Sequence, residues 1–151
     1  MTVVSDLAKL VRDRIRELGV IAPGSIGDQM EYEVLGSEKG GKTIRMRCRT
    51  FDWMRNGPGT LHGGMCATVV DQAMGFVAYC MKPGPGVAPT VQMQVEYHRP
   101  LTPGDRVLVD VHVVSASKSL MHLSAEAYPE NVPEKVSLTA SAIYFYKPAE
   151  T

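Results

Sequence analysis

The segment NGPGTLHGGMCATVVDQA, Asn56 to Ala73, joins a glycine-rich turn to the start of a strongly apolar stretch. From about His62 to Met81, apolar residues occupy every side of a helical projection. A helix that is apolar all round is a buried helix. We therefore expect a long central helix here, wrapped by the remainder of the chain.

The segments around this central helix predict an α+β fold. An amphipathic helix is predicted from Ser5 to Leu18, with Ser5 as its N-cap. After a Gly/Pro loop at positions 20–29, two alternating segments joined by the SEKGGK turn predict a hairpin. Four segments beyond the helix alternate with a period of two: Thr90 to His98, Arg106 to Ser115, Leu120 to Tyr128 and Lys135 to Tyr146. This order separates the helices from an antiparallel sheet.

Length and composition narrow the class of protein. The 151 residues fit a single domain. Lys+Arg and Asp+Glu are both 16, which gives nucleic acid no basic surface to bind. The sequence has no apolar run of about 20 residues and no secretory signal pattern. Three cysteines without C-x-x-C spacing fit reduced thiols, so we expect a cytoplasmic protein that does not enter membranes.

Asp71 is the one carboxylate on the predicted central helix. A charge on an apolar helix is costly unless it is paired, hydrogen-bonded or open to a water-filled cleft. The residue can therefore fill a solvated gap, or it can carry chemistry. At the start of the helix, Gly63 and Gly64 offer free N–H groups and an open approach to the backbone. Such donors can stabilise an oxyanion, so donor and carboxylate together indicate acyl-group hydrolysis.

The spacing of Gly63 and Asp71 raises a geometric problem. Eight helical residues separate them by roughly 12 Å along the axis, and one carbonyl group cannot easily contact both. If two chains pack with their central helices antiparallel, Gly63 of one chain can face Asp71 of the other. The sequence thus predicts a homodimer with two shared sites, which would also cover the side of the helix that one sheet leaves open.

The pattern N-x-x-G-x-x-H-G-G, from Asn56 to Gly64, is followed by Asp71 within the buried helix. Together with the order of helix and four strands and the segment PTVQMQVEYHRPLTPGD, it resembles the hotdog-fold acyl-CoA thioesterases, specifically the phenylacetic acid degradation type (PaaI-like). The resemblance covers roughly residues 28–147. It implies a curved antiparallel sheet wrapped around a long helix, with an additional N-terminal helix.

The resemblance implies a role for each of five residues. Asp71 would be the nucleophile or the general base that activates water, and the Gly63 N–H would polarise the thioester carbonyl. His62 would fix the loop and assist the same oxygen, while Asn56 would bind the thioester or the attacking water. Thr90 would position water or steady the acid. The resemblance also implies a homodimer, often paired into a homotetramer, and no cofactor or metal, with coenzyme A entering as part of the substrate.

Five further residues are candidates for substrate binding. Gly64 supplies a second N–H beside Gly63. Met65 and Met74 can line an adaptable acyl pocket, or they can be ordinary core. The phosphates of coenzyme A require basic residues at the mouth of the cleft, and Arg99 and Lys118 lie in or near predicted turns, as do Lys82 and Arg106. Solvated surface charge is the alternative for each of these cations.

Other chemistries fit the sequence less well. His98, His112 and His122 lack metal-binding spacing. Cys66, in the first turn of the helix, can be an activated thiol, but a small core residue is favoured. Two alternative functions remain: an acyl-CoA-binding module without catalysis, and a hydratase or dehydratase of enoyl or hydroxyacyl thioesters, which we expect to place its histidine and acid differently.

Overall fold

A computed structural model describes residues 7–38, 41–82 and 84–150 of the chain. The helices are α1 (Leu7–Glu17), α2 (Ile26–Gln29) and α3 (Gly63–Cys80), with a 3-10 turn at Asp52–Met54. The strands are β1 (Glu33–Glu38), β2 (Thr43–Arg49), β3 (Gly86–Val87), β4 (Thr90–Tyr97), β5 (Arg106–Ala116), β6 (Leu120–Pro129), β7 (Leu138–Phe145) and β8 (Lys147–Pro148).

Six of the strands form one antiparallel sheet in the order β1-β2-β5-β6-β7-β4. The central strands pair over long stretches. Strands β5 and β6, for example, are paired from Val107 opposite Pro129 to Ala116 opposite Met121. The short strands β3 and β8 pair with each other outside this sheet. Strand β4 is bonded only to β7 in the main sheet, so it forms one edge.

The sheet wraps around α3, which confirms the predicted α+β hotdog fold. The inward side chains of the sheet and most of α3 belong to one hydrophobic cluster. Tyr32 reaches into this cluster and donates its hydroxyl to the Val69 carbonyl at 2.9 Å, which ties the chain before β1 to the helix. One stripe of α3 stays half-buried, and its positions include Thr68, Asp71, Gly75 and Tyr79. A single curved sheet thus leaves one side of the helix open.

The N-terminal helix α1 packs on both α3 and the β1 edge of the sheet. Val11 is fully buried in the common core. The Arg12 guanidinium donates to the Val34 carbonyl, and the Arg14 guanidinium donates to the Lys82 carbonyl just after α3. The predicted N-cap, Ser5, lies outside the described residues. Helix α1 therefore extends the core beside α3.

Several element boundaries differ from the sequence prediction. The Gly/Pro loop at positions 20–29 contains the one-turn helix α2, which Ser25 caps. Strand β7 begins at Leu138, three residues later than predicted. A Cβ at Gly27 would lie 2.7 Å from Phe76 Cζ, so glycine allows α2 to approach α3 closely. The middle of the predicted SEKGGK turn lies outside the described residues.

Candidate active site

His62 is the N-cap of α3. Its backbone is extended, with φ −57° and ψ 137°, and its Nδ1 accepts the Gly64 N–H at 2.9 Å. A neutral imidazole that accepts at Nδ1 carries its proton at Nε2. The ring is exposed, so Nε2 can donate to a group outside the helix. The cap thus fixes the position of His62 and its tautomer together.

Gly63 begins α3 and keeps its N–H available. Within the described residues, this N–H has no hydrogen-bond acceptor, whereas the Gly64 N–H is used by His62. The Gly63 carbonyl accepts the Tyr97 hydroxyl at 2.7 Å, which ties the first turn of α3 to the end of β4. The start of the helix therefore presents the Gly63 N–H as an unpaired donor at its positive end.

Asn56 closes the turn that leads into α3. Its Nδ2 donates to Thr60 Oγ1 at 2.8 Å, and its Oδ1 accepts the Thr60 N–H at 2.9 Å. The next residues are held by backbone bonds from Leu61 to the Leu101 carbonyl and from His62 to the Met54 carbonyl. The Asn56 side chain orders the loop and retains one amide hydrogen for another acceptor.

Asp71 lies half-buried in the middle of α3, with one oxygen held by two hydroxyl donors. Its Oδ1 accepts Thr90 Oγ1 at 2.8 Å and the Tyr144 hydroxyl at 2.8 Å. The same hydroxyl lies 3.0 Å from the Asp71 carbonyl oxygen. In the part of the chain that the structure describes, Oδ2 accepts no hydrogen bond. The carboxylate is therefore oriented through one oxygen and free at the other.

Tyr144 is a site residue that lies within the predicted strand from Lys135 to Tyr146 and that the sequence did not single out. Burial, together with the Asp71 charge, raises the pKa of Tyr144, so the hydroxyl stays protonated and remains a donor. The signal that could have found it is general: a buried tyrosine hydroxyl requires a partner. The only acid on the helix inside the sheet is Asp71.

A groove of about 250 Å³ opens beside Asp71. Its lining comes from the open stripe of α3, from the chain entering β4, from β7 and from the loop after α1: Val20, Asp71, Gln72, Gly75, Phe76, Tyr79, Ala88, Pro89, Thr90 and Tyr144. Asp71, Thr90 and Tyr144 meet at this groove. It is wide enough to admit a substrate group and water to the carboxylate.

The predicted binding residues lie in different environments. Gly64 is exposed at the helix start and Met65 is half-buried. Met74 has 0% exposure within the core, and the groove beside Asp71 does not include it, which favours a packing role. Arg99 and Lys118 are both exposed. Arg99 follows β4 near the start of α3, whereas Lys118 lies in the β5–β6 turn.

Lys118 is close to the far end of α3, because the Lys82 ammonium just beyond the helix donates to the neighbouring Ser117 carbonyl. Within one chain, the two predicted phosphate ligands Arg99 and Lys118 therefore lie at opposite ends of α3. They do not form a single basic cluster.

The structure divides the predicted catalytic residues into two groups. Asn56, His62 and Gly63 gather at the start of α3, whereas Asp71 and Thr90 lie at its middle. Eight residues of helix separate Gly63 from Asp71, roughly 12 Å along the axis. One chain thus presents the donor and the carboxylate at separate places.

The competing chemistries gain no support from the structure. Burial raises the pKa of the Cys66 thiol to about 11, opposite to an activated nucleophile. The described residues contain no group of three or more His, Cys, Asp or Glu side chains arranged to hold a metal ion. Among the helices described, none is long and apolar enough to cross a membrane.

Comparison with known proteins identifies relatives by sequence. Residues 58–135 match the family described as the thioesterase superfamily. Human acyl-coenzyme A thioesterase 13 is 36% identical over 72 residues, which are 47% of this chain and 50% of that protein. The mouse protein of the same name is 35% identical over 69 residues, 45% of this chain and 48% of its own length. The matches thus span about half the length of these relatives.

Solved structures share the fold at low sequence identity. The PaaI protein from the phenylacetic acid degradation operon of E. coli has a TM-score of 0.74 at 14% identity, covering 97% of both chains. The smu.793 protein of Streptococcus mutans, solved bound to acetyl CoA, has a TM-score of 0.65 at 20% identity, covering 80% of this chain and 91% of its own.

Proposed function

The chain belongs to the thioesterase superfamily, and from that premise we propose that it hydrolyses an acyl-CoA thioester to a carboxylic acid and coenzyme A. The observation that carries the proposal is the Asp71 carboxylate, which lines a groove, with Oδ1 held by two hydroxyl donors and Oδ2 accepting no hydrogen bond from the described residues. A pure binding site has no need of a free carboxylate oxygen beside its ligand.

Asp71 acts on the thioester carbonyl by one of two routes. As a general base, Oδ2 takes a proton from water while the water oxygen bonds to the carbonyl carbon, and the C–S bond then breaks to release coenzyme A thiolate. As a nucleophile, Oδ2 bonds to that carbon itself, the C–S bond breaks to release coenzyme A thiolate, and water then cleaves the mixed anhydride to give the free acid and the Asp71 carboxylate. Both routes require the carboxylate form that Thr90 and Tyr144 stabilise.

The oxygen of the attacked carbonyl needs donors, and the start of α3 provides them. The Gly63 N–H and the His62 Nε2–H both have free hydrogens beside the positive end of the helix. Each such donor typically contributes about 2.7–4 kcal/mol to stabilisation of the oxyanion. Asn56 can add its remaining amide hydrogen toward the thioester or the water. The thiolate is already a good leaving group, so this reaction requires no metal or cofactor.

The two groups of residues become one site in a homodimer. Antiparallel packing of the α3 helices places Gly63 of one protomer near Asp71 of its partner and covers the part of the open stripe that lies between these two positions. The edge strand β4 adds a second reason for pairing, since Val91 is 60% exposed and Tyr97 is 55% exposed along an unpaired edge. The proposed dimer has two equivalent sites, and two such dimers can pair into a tetramer.

The relatives support an acyl-CoA substrate. The human and mouse proteins, which match this chain over about half of their own length, are named acyl-coenzyme A thioesterase 13. The Streptococcus mutans protein of the same fold was solved with acetyl CoA. The PaaI fold similarity is the basis for including arylacetyl groups such as phenylacetyl among the substrates to be tested.

Release of free thiol tests the proposal. Wild type and Asp71→Asn are assayed side by side on phenylacetyl-, benzoyl-, short-chain and medium-chain acyl-CoAs. We expect wild-type hydrolysis of at least one substrate and a loss of at least about a hundredfold in Asp71→Asn. Near-normal turnover by the variant would contradict the role of Asp71. Binding without hydrolysis by the wild type would instead establish the binding-module alternative.

A further inference from the structure

Two grooves on the open side of α3 join into one path that leads away from Asp71. The second groove, of about 520 Å³, is lined by the segment after α1 and by the chain from Gly86 to Pro89. It shares four lining residues with the groove beside Asp71: Val20, Tyr79, Ala88 and Pro89. We call this joined path the acyl groove.

The lining of the acyl groove changes from polar to apolar with distance from Asp71. The polar side chains Gln72, Thr90 and Tyr144 are confined to the first groove. The second is lined by Leu18, Val20, Val87, Ala88 and Pro89, with Gly19, Gly86 and Tyr79. Among the described residues that line either part, Asp71 is the only charged one. The lining therefore offers no cation that could bind a phosphate group, whereas its apolar side chains can pack against a hydrocarbon group.

The floor of the acyl groove is one face of α3. Asp71, Gly75 and Tyr79 follow at four-residue steps, so they lie along a single stripe roughly 12 Å long. Gly75 has no side chain to fill the space one turn beyond the carboxylate. A Cβ at this position would meet Tyr144 Cε1 at an ordinary 3.6 Å, so a methyl group fits and a larger side chain would enter the groove.

We propose that the acyl part of the thioester lies in the acyl groove, and that Gly75 and Tyr79 set the size of the group that it accepts. The substrate class is then a medium-chain or arylalkyl acyl-CoA, because an acetyl group would leave most of the apolar path unfilled. Leu18 to Val20, just after α1, form one wall, which gives the N-terminal helix a part in specificity. This inference rests on the proposed hydrolysis.

Substitutions at Gly75 test the acyl groove by blocking it. In Gly75→Leu, we expect the ratio of kcat/KM for octanoyl-CoA to that for acetyl-CoA to fall at least about tenfold, since the lost space equals several methylene groups. Gly75→Ala should give a smaller fall in the same ratio. Alanine favours a helix over glycine, so a fall in this variant cannot come from a weakened α3. Gly36→Ala, a methyl added in open space on β1, is the matched control.

Tyr79 lines both parts of the acyl groove. A substitution at Tyr79 therefore tests the part that lies farther from Asp71. Tyr79→Ala should raise kcat/KM for dodecanoyl-CoA relative to octanoyl-CoA, because it widens the passage into the second part. An equal change for all chain lengths in both the Gly75 and the Tyr79 variants would overturn the acyl groove while leaving hydrolysis intact.

A binding measurement separates the acyl groove from the proposed reaction. Octanoyl-CoA and free coenzyme A are titrated into Asp71→Asn and into the double variant Asp71→Asn/Gly75→Leu by calorimetry. We expect the ratio of the two Kd values, octanoyl-CoA over coenzyme A, to rise at least about tenfold in the double variant. That rise would support the groove even if wild type hydrolysed nothing, whereas an unchanged ratio would overturn it.

Discussion

At the scale of single residues, the site depends on how a carboxylate is held on an apolar helix. Thr90 and Tyr144 both donate to Oδ1 of Asp71, which offsets the cost of removing the charge from water and leaves Oδ2 without a donor among the described residues. The sequence predicted Asp71 as a site residue from its place on an apolar helix, and the family resemblance implied Thr90. It did not identify Tyr144, because contact between α3 and β7 is a tertiary relation that spacing along the chain does not encode.

Tyr144→Phe removes one donor and keeps the ring that packs in the core. A hydrogen bond to a charged group is typically worth about 1.5–3 kcal/mol, so we expect kcat to fall at least about tenfold. Steady-state kinetics on the best wild-type substrate, together with thermal melting of the variant, check that the loss lies in kcat and not in folding.

Tyr128→Phe is the matched control for Tyr144→Phe, because the Tyr128 hydroxyl donates to Asp110 at 2.8 Å away from the candidate site. This control should leave kcat within about threefold of the wild-type value. An equal loss of kcat in both variants would reduce Tyr144 to a structural residue.

At the scale of elements, the sequence predicted those strands and helices whose hydrophobic pattern follows from which of their faces is buried. Strands β5, β6 and β7 alternate because one face meets α3 and the other meets solvent, and α3 is apolar because the sheet surrounds most of it. The position of β4 beside β7 depends on long-range pairing that no local pattern shows. The helix α2 was missed since a single turn capped by Ser25 has no period to detect.

Cys66 lies in the first turn of α3, where two opposing effects act on the pKa of its thiol. The helix N-terminus favours a thiolate, but burial dominates and raises the thiol pKa from 9.0 to about 11. At pH 8 only about one thiol in a thousand is then ionised. We expect iodoacetamide to modify native Cys66 very slowly at this pH, and Cys66→Ala to retain kcat within about threefold.

Peptide mapping after alkylation and steady-state kinetics check the Cys66 prediction. Rapid alkylation of Cys66 in folded protein, with loss of activity in parallel, would contradict the buried core role and reopen the thiol as a nucleophile.

At the scale of the whole molecule, one chain leaves three features incomplete: the open stripe of α3 between Gly63 and Asp71, the edge of β4, and the separation of Gly63 from Asp71. Antiparallel pairing of two chains completes all three at once. The homodimer was predicted from the helical rise between Gly63 and Asp71 and from the side of the helix that one sheet leaves open, and the family resemblance implied it as well. The β4 edge, with its exposed Val91 and Tyr97, adds support that only the sheet order could supply.

Shared sites predict that two inactive variants restore each other. Asp71→Ala removes the carboxylate, and Gly63→Pro removes the N–H at the first helical position, where proline is tolerated. The extended backbone of His62, with ψ 137°, is compatible with a following proline. Each heterodimer would contain one intact site, made of Asp71 from the proline chain and Gly63 from the alanine chain.

Refolding an equal mixture of the two variants should yield about a quarter of the wild-type activity, because half of the dimers are heterodimers and each has one of its two sites intact. Each variant refolded alone is the control and should stay inactive. Native mass spectrometry must show the heterodimer in the mixture. If heterodimers form and activity does not return, Gly63 of one chain does not combine with Asp71 of the other, and the carbonyl donor must be sought on another element that faces Asp71 in the same protomer.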